Sequence, residues 1–287
     1  MTAQNFSALV LNLDRDTERL EHMEKQLAQA RVTFTRQSGV LGDAVPAALR
    51  PYFFDAAGQP KTTMKRGEIG CYASHLCALM RVARGELGDA VLIMEDDLTI
   101  ASDLIDILVE AQCAAPKNWN ILRLSNPSRR AYVPVAQIGS RRVVCYSKIP
   151  NSAGAYLVTP AGARKFLQKG VRGLTLDDDL RRPWFHEMET YGILPPPIRA
   201  GALKSTIDAV EAGRFDKGMS SRSERILRGD PLYAFKRMAY NMRALGVRGW
   251  LLCCAINVMD MIAKPIVGHS NVDRIVQFFA NSKRKKI

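Results

Sequence analysis

A buried strand that ends in three acidic residues is the feature that most constrains the fold of this chain. Residues 90–97 read AVLIMEDD, so five apolar positions are followed at once by Glu95, Asp96 and Asp97. An uninterrupted apolar run of this kind is typical of a strand covered on both faces, as in parallel α/β sheets. The carboxyl ends of such strands form the edge at which open α/β folds bind ligands. The run therefore predicts an α/β fold with carboxylates at its binding edge.

The same three residues predict a cation site. Side chains alternate along an extended chain, so we expect Glu95 and Asp97 to point the same way and Asp96 to point the opposite way. Hard divalent cations such as Mg²⁺ and Mn²⁺ prefer oxygen ligands, and a magnesium site usually combines one or two carboxylates with substrate phosphates. Acidic residues at a strand end also cap helices or lie in solvated turns, and that alternative stays open here.

Strand and helix signals alternate along the first two thirds of the chain. An apolar strand at 6–13 precedes a helix, and a second helix at 67–84 leads into the acidic strand. Further strands are predicted at 121–124 and 153–158. Thr159 and Pro160 then provide an N-cap and a first helical residue for a helix at 161–168. The alternation predicts a mixed or largely parallel sheet covered by helices.

Positive charge is concentrated at the C-terminal end. The chain has 287 residues and a net charge of +13, of which residues 213–287 carry +10. We therefore expect a catalytic domain at 1–212 and a basic, mainly helical extension at 213–287, joined by a linker at 201–218. Such asymmetry indicates an anionic partner, either nucleic acid or acidic lipid. The final basic run at 283–286 and Arg222, Arg225 and Arg228 belong to this extension.

Neither the N-terminus nor any apolar run predicts a membrane-spanning segment. A spanning helix needs about 18 uninterrupted apolar residues, whereas the best candidate, 250–262, is broken by Asn257 and Asp260. The chain opens on a short polar stretch rather than a signal peptide, and its six cysteines show no CxxC spacing. We expect a cytoplasmic protein with reduced thiols.

Four segments together resemble glycosyltransferase family 25, a group of lipopolysaccharide and lipooligosaccharide sugar transferases with relatives that act on collagen. They read VLNLDR at 10–15 with Arg19 shortly after, GEIGCYASHL at 67–76, IMEDD at 93–97 and SAGAYLV at 152–158. The second segment is the most specific, and the likeness extends over about residues 5–207. The resemblance implies a GT-A fold, in which a Rossmann-like mixed sheet flanked by helices binds a nucleotide sugar and an acidic motif holds Mn²⁺ or Mg²⁺ on the diphosphate.

The resemblance also implies roles for individual residues. Asp97 is expected to ligate the metal directly, and Glu95 to share the metal or to accept hydrogen bonds from the ribose. The expected donor-binding residues are Asn12, Asp14, Arg15, His75, Glu95 and Asp96. Two alternatives remain open: Asp14 caps the first helix while Arg15 and Arg19 are solvated, and His75 is a structural helix residue.

An acidic triplet supplies candidates for the catalytic base. Residues 175–180 read TLDDDL and match, more loosely, an acidic segment found late in family members. An inverting transfer needs one carboxylate to take the acceptor's proton, and Asp177 or Asp178 is expected in that role. The triplet could instead cap a helix that continues to about residue 191, on which His186 is a weaker candidate for metal or base.

Taken together, the resemblance implies an inverting, metal-dependent transfer of galactose or glucose from a UDP-sugar to a lipid-linked lipopolysaccharide or lipooligosaccharide glycan. The basic extension is expected to hold the enzyme peripherally on the inner face of the inner membrane. Two alternatives come from the same residues. One is another metal-dependent phosphoryl or nucleotidyl transferase, and the other is a non-catalytic nucleic-acid-binding module. The extension has few interleaved aromatic residues for base stacking, so we expect no nucleic-acid partner.

Overall fold

The computed structural model describes residues 3–62, 64–125, 127–128, 130–201 and 232–267, with side chains as far as residue 262. Ten strands are present in these ranges: β1 (Ser7–Asn12), β2 (Thr35–Ser38), β3 (Val91–Glu95), β4 (Leu98–Ile100), β5 (Ile121–Arg123), β6 (Tyr132–Ile138), β7 (Arg141–Tyr146), β8 (Ala155–Val158), β9 (Thr190–Leu194) and β10 (Ile198–Ala200). The helices are α1 (Thr17–Gln29), α2 (Arg50–Phe53), α3 (Arg66–Ala83), α4 (Leu104–Ala114), α5 (Pro160–Leu167), α6 (Leu176–Leu180), α7 (Pro183–His186) and α8 (Tyr233–Val267).

Eight of these strands form one mixed sheet in the order β2-β1-β3-β8-β5-β9-β7-β6, and β4 pairs with β10 in a small second sheet. The pairs β1/β2, β1/β3 and β5/β9 are parallel, whereas β8, β7 and β6 join antiparallel to their neighbours. The predicted α/β class, a Rossmann-like mixed sheet flanked by helices with a helical C-terminal element, is confirmed. β6 and β7 form a hairpin that the sequence signals do not predict.

The apolar run of β3 is buried on both faces of the sheet. Leu92 and Met94 face a core layer that includes residues of α1 and α4, and Val91 and Ile93 face the opposite layer with residues of α3 and α5. All four side chains are fully buried. Full burial of a side chain of this size stabilises the fold by about 1.5 to 3 kcal/mol, so both layers are anchored on this strand.

The helix predicted at 161–168 is confirmed, with its start at the cap that the sequence indicates. The Oγ1 atom of Thr159 accepts a hydrogen bond from the backbone N–H of Gly162 at 3.1 Å, and Pro160 occupies the first helical position.

The prediction of a helix that runs from the acidic triplet to residue 191 is wrong. α6 ends at Leu180, Pro183 starts the separate helix α7, and Glu187 adopts a left-handed conformation before β9 enters the sheet.

The C-terminal helix α8 packs one face on the sheet and leaves another exposed. Cys253 and Ile256 are buried in a small apolar cluster with side chains of β6 and β7, and Asn257 Oδ1 accepts a hydrogen bond from the Ala131 backbone N–H at 2.8 Å. A non-helical Gly246 divides α8 into two parts. By length and composition alone, Tyr233–Ile262 of this helix is apolar enough to cross a membrane, although its sequence contains no run of about 18 uninterrupted apolar residues.

Several features of the basic extension lie outside the described residues. They are the boundary expected at 212/213, the linker from residue 202 onward, the arginines at 222, 225 and 228, and the basic run at 283–286.

The loop at 39–43, which follows β2, lies directly against the first turns of α3. The Ser74 hydroxyl accepts a hydrogen bond from the Val40 backbone N–H at 2.8 Å. A Cβ atom at Gly70 would lie 2.6 Å from the Val40 carbonyl oxygen and 2.8 Å from the Gly42 nitrogen. Glycine at position 70 therefore permits the close approach of loop and helix.

We expect Gly70→Ala to destabilise the protein by about 1 to 3 kcal/mol, because the added methyl group must push the loop away from α3. Thermal unfolding followed by circular dichroism measures the effect. Gly170→Ala is the matched control, since no atom lies within 4 Å of a Cβ built there. Equal melting temperatures for the two variants would contradict the close packing.

Candidate active site

A cavity of about 520 Å³ opens at the carboxyl ends of β1 and β3. β1 and β3 pair in parallel with Leu11 opposite Glu95, so residues that follow the two strands meet at one edge of the sheet. The walls come from the end of β1 and the start of α1, the loop at 39–43, the first half of α3, and residues 95–97. This is the position at which open α/β sheets bind ligands.

Arg19 of α1 contacts two of the three acidic residues in the cavity. Its Nη2 atom lies 2.6 Å from Asp96 Oδ1 and 3.0 Å from Asp97 Oδ2. The other oxygen of Asp96 accepts a hydrogen bond from Asn12 Nδ2 at 2.7 Å. The expectation that Asp96 points away from Asp97 is therefore wrong. β3 ends at Glu95, and the strict alternation of an extended chain does not continue beyond it.

Glu95 is directed to α3. Its Oε1 atom lies 3.3 Å from His75 Nε2 and 3.5 Å from Cys71 Sγ. His75 is fully buried, and its Nδ1 atom lies 2.9 Å from the hydroxyl of the buried Tyr156. Burial alone would raise the pKa of Glu95, but the hydrogen bonds from His75 and Cys71, together with the electrostatic interactions with His75 and Arg19, lower it. The structure thus brings His75 and Glu95, two of the expected donor-binding residues, together in the cavity, and their contact with the donor stays a prediction.

The charges at this edge fit a divalent cation. Burial raises the pKa of Asp97, and the negative charges of Glu95 and Asp96 raise it further, while Arg19 acts in the opposite direction. Burial likewise raises the pKa of Asp96, although Asn12 and Arg19 offset part of the shift. Negative charge therefore exceeds what Arg19 compensates among these groups. A bound cation with oxygen ligands would relieve this repulsion, so the donor set fits Mn²⁺ or Mg²⁺.

The other expected donor-binding residues differ in their position. Asn12 is buried, and its Oδ1 atom accepts a hydrogen bond from Arg36 Nε at 2.9 Å. Arg15 lines the cavity with a half-exposed side chain. Asp14 does not line the cavity: its exposed carboxylate forms an ion pair with Arg36, and the N-cap of α1 is Asp16 instead. Of the alternative held open for this segment, the capping Asp14 is wrong and Arg19 is paired with Asp96 and Asp97 rather than solvated, whereas Arg15 is solvated as that alternative states.

The three neighbouring aspartates of α6 have different surroundings. Asp178 accepts hydrogen bonds from Arg181 Nη1 at 2.9 Å and from the Thr175 hydroxyl at 3.3 Å. Asp179 accepts one from the Tyr72 hydroxyl at 2.5 Å and lies in a buried cluster with Arg172. Both carboxylates therefore have a structural role.

Asp177 does not line the cavity, but its carboxylate interacts electrostatically with Glu95 at the cavity's edge. Burial and the charge of Glu95 raise its pKa to about 6, while Arg123 works against the shift. Its carboxylate has no hydrogen-bond partner among the residues that the structure describes. Of the two base candidates from the sequence, the structure distinguishes Asp177 as the one near Glu95, with a pKa suited to proton transfer near neutral pH.

His186 does not line the cavity. Its ring is fully buried and stacks on Phe166 with centroids 4.4 Å apart. Burial and the nearby Arg172 and Arg182 lower the pKa of His186 to about 2, so the ring is neutral at physiological pH. The role expected for it as metal ligand or base finds no support in this position.

Residues 6–179 match the family model described as glycosyltransferase family 25 (LPS biosynthesis protein). Comparison with curated proteins finds no significant match. Among solved structures the chain is similar to the inositol-1-phosphate CTP transferase from T. maritima, with 13% identity, 74% of this chain and 97% of that chain covered, and a TM-score of 0.35.

Two further solved structures show comparable similarity. One is the mannose-1-phosphate geranyltransferase from Thermus thermophilus, with 14% identity, 67% of this chain and 75% of that chain covered, and a TM-score of 0.33. The other is a glycosyltransferase involved in the glycosylation of the major capsid of PBCV-1, with 10% identity, 72% and 97% covered, and a TM-score of 0.31.

The different surroundings of Asp177 and Asp178 predict opposite effects on stability. The raised pKa of Asp177 means that its charge destabilises the folded state at pH 7, and that this cost disappears as the pH falls through 6 towards the unfolded value near 4. We expect Asp177→Asn to stabilise the fold by about 1 to 3 kcal/mol at pH 7 and by less at pH 4.5. Asp178→Asn weakens the contact with Arg181, so we expect this variant to destabilise the fold by about 1 kcal/mol.

Thermal unfolding of both variants at the two pH values, with a chelator present, measures these effects. An Asp177→Asn variant that is less stable than the unchanged protein at pH 7 would show that this carboxylate is a structural group.

Proposed function

The chain belongs to glycosyltransferase family 25 and is therefore a glycosyltransferase of lipopolysaccharide biosynthesis, and from this premise we propose that it transfers a hexose, galactose or glucose, from a UDP-sugar with inversion at the anomeric carbon. The acceptor in this proposal is a lipid-linked lipopolysaccharide or lipooligosaccharide glycan. The observation that supports it best is the group of three carboxylates at one end of a cavity of about 520 Å³. Family membership favours this activity over phosphoryl transfer and over nucleic-acid binding.

In this proposal the donor lies along the edge formed by β1 and β3. Asp97 holds Mn²⁺ or Mg²⁺, and Glu95 shares the cation or accepts hydrogen bonds from the ribose. Asn12 and Arg15 contact the nucleotide. Asp96 helps to position this edge through its bonds to Asn12 and Arg19. A divalent cation bound here supplies Lewis-acid stabilisation of the charge that develops on the departing diphosphate.

Asp177 is the proposed catalytic base. Its carboxylate takes the proton of the acceptor hydroxyl as that oxygen attacks the anomeric carbon and UDP leaves. Two features support the assignment: the pKa of about 6, which leaves the group ionised at pH 7 while it remains basic, and the absence of a hydrogen-bond partner within the described part of the chain. Arg123, fully buried and positively charged, favours the ionised form of Asp177.

We expect Asp97→Ala to lower sugar transfer by about 10² or more, because it removes a ligand of the cation that stabilises the leaving group. Asp89→Ala is the matched control, since Asp89 is exposed in the turn before β3, at the opposite end of the strand. Release of UDP from a panel of UDP-sugars, with and without Mn²⁺, provides the assay. Transfer by Asp97→Ala at the unchanged rate, or an unchanged protein that keeps full activity in a chelator, would refute the cation assignment.

If Asp177 is the catalytic base, its replacement should lower the rate of sugar transfer without weakening the binding of UDP. We expect Asp177→Asn to bind UDP as the unchanged protein does and to lose acceptor-dependent transfer by at least about 10². Asp178→Asn should retain most of its transfer once its lower stability is taken into account. Calorimetry of UDP binding and a transfer assay on the same samples test this. Equal transfer by the two variants would contradict the assignment.

We further propose that the C-terminal region holds the enzyme peripherally on the inner face of the inner membrane. The second part of α8 has exposed apolar side chains at Val247, Leu251, Val258, Met261 and Ile262. The buried face of the same helix packs on the sheet. The exposed face can therefore contact lipid while the helix lies in the plane of the membrane. The net charge of +10 over residues 213–287 adds attraction to anionic lipid, about 1 kcal/mol for each basic side chain near the surface.

The double variant Leu251→Glu/Ile262→Glu is expected to weaken binding to anionic vesicles at least tenfold, because two apolar side chains no longer enter the lipid and two negative charges oppose it. Val171→Glu is the control, because Val171 is also an exposed apolar residue but lies before α6, far along the chain from α8. Co-sedimentation with phosphatidylglycerol vesicles at low salt measures binding. Equal binding of all three proteins, or none by the unchanged chain, would refute the membrane role.

A further inference from the structure

Three side chains with different metal-binding chemistry converge at the side of the cavity formed by α3. Cys71 and His75 are one helical turn apart on α3, and Glu95 approaches them from the end of β3. The Cys71 Sγ, His75 Nε2 and Glu95 Oε1 atoms all lie within 4.8 Å of one another. Spacing of four residues places the thiol and the imidazole on the same face of the helix.

Two of the three separations between these atoms match the edges of a tetrahedral zinc site. Zinc binds sulfur at about 2.3 Å, nitrogen at about 2.0 to 2.1 Å and carboxylate oxygen at about 2.0 to 2.2 Å, so a tetrahedron has sulfur–oxygen edges of about 3.6 Å and nitrogen–oxygen edges of about 3.4 Å. The observed Sγ–Oε1 and Nε2–Oε1 distances are 3.5 Å and 3.3 Å. The third separation, between Cys71 Sγ and His75 Nε2, is at most 4.8 Å, so small movements of these side chains would complete the tetrahedron around a cation.

The surroundings of His75 hold its ring in the orientation that such a site requires. The Tyr156 hydroxyl lies 2.9 Å from Nδ1, and the two rings stack with centroids 5.7 Å apart. When Nε2 binds a metal, Nδ1 carries the ring proton and can donate it to the Tyr156 oxygen. An outer hydrogen bond of this kind fixes the tautomer and the direction of a metal-binding histidine. Both side chains are fully buried, so neither rotates freely.

We propose that Cys71, His75 and Glu95 form a binding site for a thiophilic divalent cation, with Zn²⁺ as the ion that fits best. A thiolate and an imidazole select zinc over Mg²⁺ and Mn²⁺, which prefer oxygen ligands. On binding, the Cys71 thiol releases its proton to solvent and becomes a thiolate. Three protein ligands leave a fourth position for water. The site does not depend on the proposed sugar transfer, although Glu95 belongs to both and the two cations would compete for it.

Cobalt replaces zinc in such sites and makes the ligands visible. We expect Co²⁺ titrated into the full chain, kept reduced without a chelating reductant, to give a near-ultraviolet thiolate-to-cobalt band and the visible bands of tetrahedral cobalt. One equivalent of Zn²⁺ should remove both. Folding of each protein is checked by circular dichroism, so that a loss of signal is interpreted only for folded chains.

Two substitutions of the thiol and one control locate the site. Cys71→Ser and Cys71→Ala should each lose the thiolate band and bind Zn²⁺ at least tenfold more weakly. Both variants are made so that the test still stands if one of them does not fold. Cys77→Ser, a partly buried cysteine on the same helix, should keep the band. A folded unchanged chain without the band, or a Cys71→Ser variant with the full band, would overturn the proposal.

Discussion

Two ion pairs from one arginine hold the acidic end of β3 in the cavity. Arg19 lies 2.6 Å from Asp96 and 3.0 Å from Asp97, in a place where burial and neighbouring negative charges raise the pKa of both carboxyl groups. Without this guanidinium, the repulsion among the carboxylates would increase and favour their protonation. The position of Arg19 follows from the sheet, because β1 pairs in parallel with β3 and leads directly into α1. The candidate donor site therefore depends on the register of these two strands.

Local signals in the sequence predict much of this edge. The apolar run of β3 and the helices at 67–84 and 161–168 are found where the pattern places them, because burial on both faces and helix caps are properties of short segments. The importance of Arg19 is not predicted, since its contacts join residues far apart in the sequence and require the strand register. The direction of Asp96 is mispredicted for a related reason: the strand ends at Glu95, and the apolar pattern does not say where extension stops.

The acidic triplet shows the limit of residue-type reasoning. Successive side chains on a helix are separated by about 100°, so Asp177, Asp178 and Asp179 meet three different environments. The sequence identifies carboxylates suited to proton transfer but not which of them has a structural partner. The long helix predicted after the triplet fails because Pro183 lacks a backbone N–H and residues 190–194 are needed by the sheet. The triplet therefore lies on the short helix α6, which packs against α3.

In the proposed function, the edge of β1 and β3 binds a nucleoside diphosphate together with a divalent cation. Calorimetric titration of UDP into the full chain, first with Mn²⁺ and then with a chelator, tests this most directly because it requires neither the acceptor nor the correct sugar. We expect saturable binding with Mn²⁺ that is weakened at least tenfold by the chelator, since the carboxylates then repel the diphosphate. Binding of equal strength under both conditions would contradict it.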